Sequence, residues 1–419
     1  DPELAAILAE DPELAAMLED ATQMETVVTS TRYDTQAGNV PESVTIVGAD
    51  EARTRSAAHG DDLVRTVPSV TIRRPQGQAS AYPQVLQIRG VSGIARTLVA
   101  IDGMPINDPL IGAPHLNMLP TERLGRVEIV RGPFSALWGS YAMAGLINVV
   151  NQPGGVDPGF SMSAAVGPYS TFRVTGSAAG QLSWFEAAAT YDLRRTQNYL
   201  GRPEEPNLDF LHHRVIVRMD ANRGGRFSAS LTSGYYFGDS GFNQYVDLRD
   251  IPAMGYYFRN EGRTEKHNAF SRLSGKFRVL PSLELQTAVG VLYGWSRFAI
   301  SPFVLEGTLP STRIEQNTSA STGVRLEASG RWSFTDWGTL ILGVDQVWDM
   351  GRWENSSLDT GELVFGMKAG ASITGMFGQT EFQFFDERLR LIAGVRVDRH
   401  STFGWAVSPR GGLYFEPRE

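Results

Sequence analysis

The chain has 419 residues, room for two domains, with 44 glycines, no cysteine and a formal charge of −8. The acidic balance argues against a nucleic-acid partner, the lack of cysteine removes disulfides and thiolate metal sites, and no run of 18 apolar residues is present to build a membrane-spanning helix. A spanning β-barrel stays open, because its strands carry only about ten residues of alternation each.

Residues 1–22 open with a near-repeat, DPELAAILAE followed by DPELAAMLED. Each half places Asp at an N-cap, Pro at the first helical position and Glu next, with Leu4, Ile7, Leu8, Leu14, Met17 and Leu18 at helical spacing. An acidic helical extension is expected, a docking segment being the sharper alternative. No secretory leader is visible, as in a mature or shortened chain. Residues 23–35 form a linker around Glu25-Thr26-Val27-Val28-Thr29-Ser30, a β-prone stretch of small side chains. It reads as an ordinary edge strand, or as one that another sheet captures through main-chain hydrogen bonds.

Residues 36–155 read as an α+β domain. Val44–Val47 predicts a strand, and Leu63, Val64 and Val67 predict a helix within Glu51–Val67 that stops at Pro68. Strands follow at Ser69–Arg73 and Val85–Arg89, separated by the loop 74–83. Two buried strands, Leu98–Ile101 and Val127–Val130, each end at a permissive turn, Asp102-Gly103 and Arg131-Gly132-Pro133, and a third runs over Gly145–Val150.

The ordered series Ile101-Asp102-Gly103-Met104-Pro105-Ile106-Asn107-Asp108, then Glu128-Ile129-Val130-Arg131-Gly132-Pro133-Phe134-Ser135-Ala136-Leu137-Trp138-Gly139-Ser140, resembles the plug domain of TonB-dependent outer-membrane receptors. It departs from that pattern only at Trp138, where Tyr is usual, and at Ala144-Gly145 in place of a glycine pair. The resemblance implies a bacterial outer-membrane location, a small-molecule ligand such as a metal chelate, and the inner-membrane partner TonB. Glu25, Thr26, Val27, Val28, Thr29 and Ser30 then resemble the TonB box. Arg89 and Arg131, with Glu128 beside them, would pair with wall glutamates and seat the plug, a role suited to the planar arginine fork. Loops after Arg73 and Asn107 would face the ligand, making Gln76, Gln78, Tyr82, Asn107, Asp108, His115 and Asn117 candidates for contact, against the plainer reading of loop polarity.

From residue 156 to 419 the pattern turns to period two. Val215, Val217 and Met219 alternate with Arg214, Ile216 and Arg218, and Leu283, Leu285, Thr287, Val289 and Val291 alternate with Glu284, Gln286, Ala288 and Gly290. About twelve strands are expected, near 160–167, 172–180, 182–192, 211–222, 225–237, 265–280, 282–296, 312–331, 337–352, 371–385, 387–400 and 403–416. Several exceed the usual five or six residues of globular strands. Trp184, Phe185, Tyr235, Tyr236, Phe237, Trp295 and Trp405 suit interfacial girdles. Longer polar links are expected at 196–210, 238–264, 299–311 and 354–368, with short turns at the other end. The fold class is therefore an α+β plug domain followed by an antiparallel transmembrane β-barrel, incomplete at about 12 of 22 strands. An open sheet in lipid leaves backbone groups unpaired, so a piece of a longer receptor, or a half completed by a second chain, is expected. A closed twelve-stranded barrel would be tight around a plug.

No phosphate loop, catalytic triad, metal-ligand cluster or cofactor signature is present, and His212-His213 are strand neighbours that must face opposite ways. The chain reads as a non-enzymatic, TonB-coupled importer of a scarce ligand such as a ferric siderophore or cobalamin. The alternative is a surface receptor with a purely structural plug, and a soluble β-sandwich enzyme is disfavoured.

Overall fold

The computed structural model describes residues 26–27, 32–33, 35–36, 43–54, 57, 59–73, 85–197, 209–247, 257–300, 315–357, 360–385 and 388–415. The helical repeat of residues 1–22 lies outside them. The chain enters through a two-strand pair, β1 (Thr26–Val27) and β2 (Thr35–Gln36). The plug follows: β3 (Ser43–Gly48), α1 (Ala49–Thr54), α2 (Asp62–Arg65), β4 (Val70–Arg73), β5 (Val85–Ile88), β6 (Thr97–Ile101), β7 (Met104–Pro105), β8 (Leu124–Arg131), α3 (Ser135–Trp138) and β9 (Gly145–Asn151). Five of these strands form one sheet in the order β3-β8-β9-β6-β7, with β6 and β9 parallel. All of β6 is buried, so its sequence, TLVAI, is apolar without alternation.

The single helix expected over Glu51–Val67 is instead two short ones. The break includes Gly60, whose main chain approaches Leu119 so closely that an added Cβ would stand 2.3 Å from the Leu119 Cβ.

Twelve antiparallel strands follow as one meander: β10 (Gly159–Gly167), β11 (Thr171–Leu182), β12 (Phe185–Thr196), β13 (Phe210–Ala221), β14 (Phe227–Asp247), β15 (Tyr257–Leu280), β16 (Leu283–Ile300), β17 (Glu315–Thr335), β18 (Gly338–Ser357), β19 (Leu363–Phe384), β20 (Leu389–His400) and β21 (Gly404–Phe415). The sheet is not closed among the described residues: β10 and β21 are its two edges. Two of the expected links are corrected. Pairing continues from Ser240↔Thr264 to Asp247↔Tyr257, and β19 begins at Leu363, because ladder bonds need backbone groups and not an alternating sequence.

Period two sorts the wall residues. Met219, Leu285, Val289, Val291 and Tyr293 lie on the exposed outer face. Tyr236, expected in a girdle, is 1% exposed and points inward, since its neighbours Tyr235 and Phe237 occupy the outer face. Tyr236, Phe270 and Leu292 join Ile101, Met104 and Ile129 in a single apolar core, so the plug packs inside the curve of the wall. His212 faces inward and contacts Asp192, while His213 faces outward and bonds Tyr191.

Candidate functional site

The plug is held by inward side chains of the wall, and its main anchor is the turn after β6. Asp102 adopts a left-handed φ of 46° at that turn, a conformation that Asp tolerates better than most residues. Its Oδ1 accepts from Asn151 N at 2.9 Å and Arg218 Nη1 at 3.2 Å; its Oδ2 accepts from Asn151 Nδ2 at 2.7 Å and Thr232 Oγ1 at 2.9 Å. Arg272 Nη1 donates to the Asp102 carbonyl at 3.4 Å and Nη2 pairs with Glu327 at 2.6 Å. Arg218 also donates to the Asn151 carbonyl at 2.6 Å and pairs with Asp220. One residue thus ties the β6–β7 turn and the end of β9 to three wall strands, through its carboxylate to β13 and β14 and through its carbonyl to β15.

A second contact lies further along. Met104, Pro109 and Leu110 rest on wall glycines: a Cβ on Gly290 would meet the Met104 sulfur at 2.5 Å, one on Gly323 would meet Pro109 Cγ at 3.0 Å, and one on Gly351 would meet Leu110 Cδ1 at 2.8 Å. Between them, Asp108 Oδ1 accepts from the Leu110 and Ile111 amides, and its Oδ2 accepts from Ser321 Oγ at 3.0 Å and lies 3.4 Å from His115 Nε2. Asn268 Nδ2 is 3.2 Å from the same His115 nitrogen. Burial opposes ionisation of Asp108, but His115 and the two amides outweigh it and hold the carboxyl well below the usual carboxylate range. Burial and nearby Lys266 lower the His115 pKa, against the raising effect of Asp108. Because folding lowers the Asp108 pKa, its stabilisation is complete above the ordinary value of about 4 and fades as pH falls below that towards the folded value. Asp108→Asn should therefore lower the melting temperature at pH 7 and make the residual acid dependence between pH 4 and 2 shallower; identical pH–stability curves would refute the assignment.

The amino-terminal linker is bolted to the wall as well. Arg32 grips Asp345 with both Nη atoms, at 2.8 and 3.0 Å, and contacts the Leu137 carbonyl. Its guanidinium lies 4.7 Å from the Trp138 ring and 4.6 Å from the Phe377 ring, within cation–π range. Arg396 reaches the same Asp345 at 2.5 Å and the Leu137 carbonyl at 3.3 Å. Next to Arg32, Tyr33 is buried and bonds Ser329 at 3.0 Å. Arg214 donates to the Leu119 carbonyl at 2.6 Å, and Arg173 to Thr121 at 3.0 Å, completing a set of wall arginines aimed at plug oxygens.

The residues singled out by sequence are distributed unevenly over this interface. Only Thr26 and Val27 of the Glu25–Ser30 segment are described, as β1; Gln76, Gln78 and Tyr82 lie outside the described residues. Asn107 is fully buried and spent on the plug's own fold: it accepts from Val99 N and donates to the Thr97 and Gly112 carbonyls. Asp108 and His115 form the contact above, and the half-buried Asn117 receives Arg214 at its carbonyl, 3.4 Å away. Arg131 donates to Thr45 Oγ1 at 2.7 Å and the Pro68 carbonyl at 3.3 Å, inside the plug. Arg89 is exposed at a φ of 53°, and Glu128 is buried against Arg126 at 2.7 Å. Among the described residues no wall glutamate pairs with Arg89 or Arg131. The charged contacts between plug and wall among these residues run mostly from wall arginines to plug carboxylates and carbonyls, with Arg32 of the linker reaching Asp345 of the wall. Asp102, Arg218, Arg272, Arg32, Asp345 and Arg396 were not singled out, although the wall arginines and Asp345 sit on the polar face that period two marks.

Residues 36–146 match the TonB-dependent Receptor Plug Domain, and residues 152–419 match the TonB dependent receptor-like, beta-barrel family. The chain is similar to the Vitamin B12 transporter BtuB of Vibrio vulnificus (strain CMCP6), 23% identical over 410 residues that cover 92% of this chain and 60% of that protein. The BtuB of Photobacterium profundum is 26% identical over 224 residues, 52% of this chain and 36% of that one. The chain therefore spans from about a third to three fifths of the length of these curated relatives. In fold it is similar to the alcaligin receptor FauA of Bordetella pertussis, with a TM-score of 0.68 at 14% identity over 94% of this chain and 64% of that one. The Copper transporter OprC gives a TM-score of 0.64 at 18% identity, covering 90% and 59%. Both parts of one architecture are matched in the expected order, and the chain belongs to the TonB-dependent receptors of the bacterial outer membrane.

Proposed function

We propose that this chain is the plug and the first part of the barrel of an energy-coupled importer. The family consists of receptors and transporters rather than enzymes, and the relatives named above are a vitamin B12 transporter, an alcaligin receptor and a copper transporter. The ligand is accordingly a scarce small molecule, a metal chelate or cobalamin-like compound, taken up from the long-link side. Further strands, on the same or a second chain, pair with β10 and β21 to close the wall in the bilayer.

The observation that supports this reading is the seat of Arg32 and Tyr33. They lie just beyond the Glu25–Ser30 segment and bond at once to the wall, through Asp345 and Ser329, and to the plug, through Leu137 and Trp138. A partner that captures the segment as an added strand pulls directly on the plug–wall junction. TonB is that partner in this reading. Deleting residues 25–30 should abolish ligand accumulation in cells while surface binding persists. Uptake that survives the deletion would support a surface receptor with a structural plug instead.

A further inference from the structure

A cavity of ≈ 580 Å³ lies between the underside of the plug and strands β13–β17, at the short-turn end of the wall. That volume falls within the usual range for small-molecule sites. Among the described residues, eight basic and four acidic side chains line it. Charges of both signs are paired: Asp102 and Asp220 with Arg218, Glu327 with Arg272, Arg32 with Asp345, Arg126 with Glu128 and Arg223 with Glu186, while Glu284 accepts from Gln286.

The basic side chains are arranged in a column. Alternation along β15 turns Arg272, Ser274, Lys276 and Arg278 to the inner face, about 6.7 Å apart, from the Asp102 anchor down to the end of the strand. Register sets Ser230 of β14 opposite Ser274, and Ser228 opposite Lys276. One hydroxyl thus faces Ser274, between Arg272 and Lys276, and a second faces Lys276. At the mouth, Arg226 donates to the carbonyls of Arg278 and Val279, and Arg278 makes no ion pair among the described residues.

We propose that this chamber binds small solutes through an oxyanion group, such as a carboxylate, phosphate or sulfonate, with the β15 column as its track. Cationic groups and hydroxyls supply charge-assisted donors to such oxygens, and an excess of cationic side chains in a cleft raises the local concentration of anions. The proposal deepens the import reading, on which its cargo role rests: it makes the transported molecule one that presents an anionic group beneath the plug.

The chain has no cysteine, so Ser274→Cys gives a single thiol in the chamber. The full chain in outer-membrane vesicles is treated at low salt with a sulfonate-bearing and a trimethylammonium-bearing thiosulfonate reagent, each rate normalised to that of a free thiol. The anionic reagent should react at least about tenfold faster. The preference should fall towards unity in 1 M salt and on adding Lys276→Gln and Arg278→Gln. Equal rates, a preference for the cation, or no reaction with either reagent would overturn the proposal. Ser230→Cys provides the same readout should the first variant fail to fold. Neither the tether nor uptake enters this measurement, so it fails independently of the deletion of residues 25–30.

Discussion

Replacing Asp102 with Ala should loosen the plug while leaving the wall folded. Amide exchange in β6 and β9 is expected to rise about a hundredfold, the equivalent of about 3 kcal/mol for removing one partner of a buried charged pair. The magnitude follows from what the carboxylate holds. It takes hydrogen bonds from Arg218, Thr232 and both the main chain and side chain of Asn151, and its side chain is only 10% exposed. Arg218 keeps Asp220, which places the loss at the lower end of the range for such pairs. Asp102→Asn tolerates the same left-handed backbone and keeps an acceptor for Thr232, so it should cost less than Ala. The ladder from β10 to β21 does not pass through this residue, and wall amides should exchange as before. Unchanged protection of β6 and β9 in the Ala variant would show that the apolar core shared with Tyr236, Phe270 and Leu292 seats the plug without the anchor.

Asp345→Ala should free the linker. Two guanidiniums, those of Arg32 and Arg396, converge on this one carboxylate. Without it they face each other across the Leu137 carbonyl that both contact. Arg396 retains Asp398, whereas Arg32 is left with that carbonyl and two aromatic rings. The expected loss is about 3–5 kcal/mol at the linker. It reads out as protease sensitivity around residues 32–36 and as mobility of a spin label at position 35. Asp345→Asn keeps one acceptor but no charge and should fall between the two. A linker as protected in the Ala variant as in the parent would place its attachment in Tyr33 and the rings of Trp138 and Phe377 rather than in Asp345.

Much of this architecture was legible in the residues alone. Alternation of Val215, Val217 and Met219 with Arg214, Ile216 and Arg218 assigned each side chain to a face, because a strand has no other period. The apolar run at 98–101 and the stretch at 127–130, apolar but for Glu128, marked strands covered on both sides, and the Asp102-Gly103 and Arg131-Gly132-Pro133 turns bounded them. The ordered plug motif placed those strands in one family. Tertiary structure alone decided which charges meet. Arg32 and Asp345 are 313 positions apart, and Arg218 and Asp102 are 116 apart. Period two says that Arg218 and Arg272 point inward, but the curvature of the wall and the height of the plug within it select their partners. For the same reason Arg131 turned to Thr45 and Pro68 within its own domain, and Asn107 became a staple between β6 and its loop. A local pattern specifies the direction of a side chain; only the packing of distant strands specifies what stands in front of it.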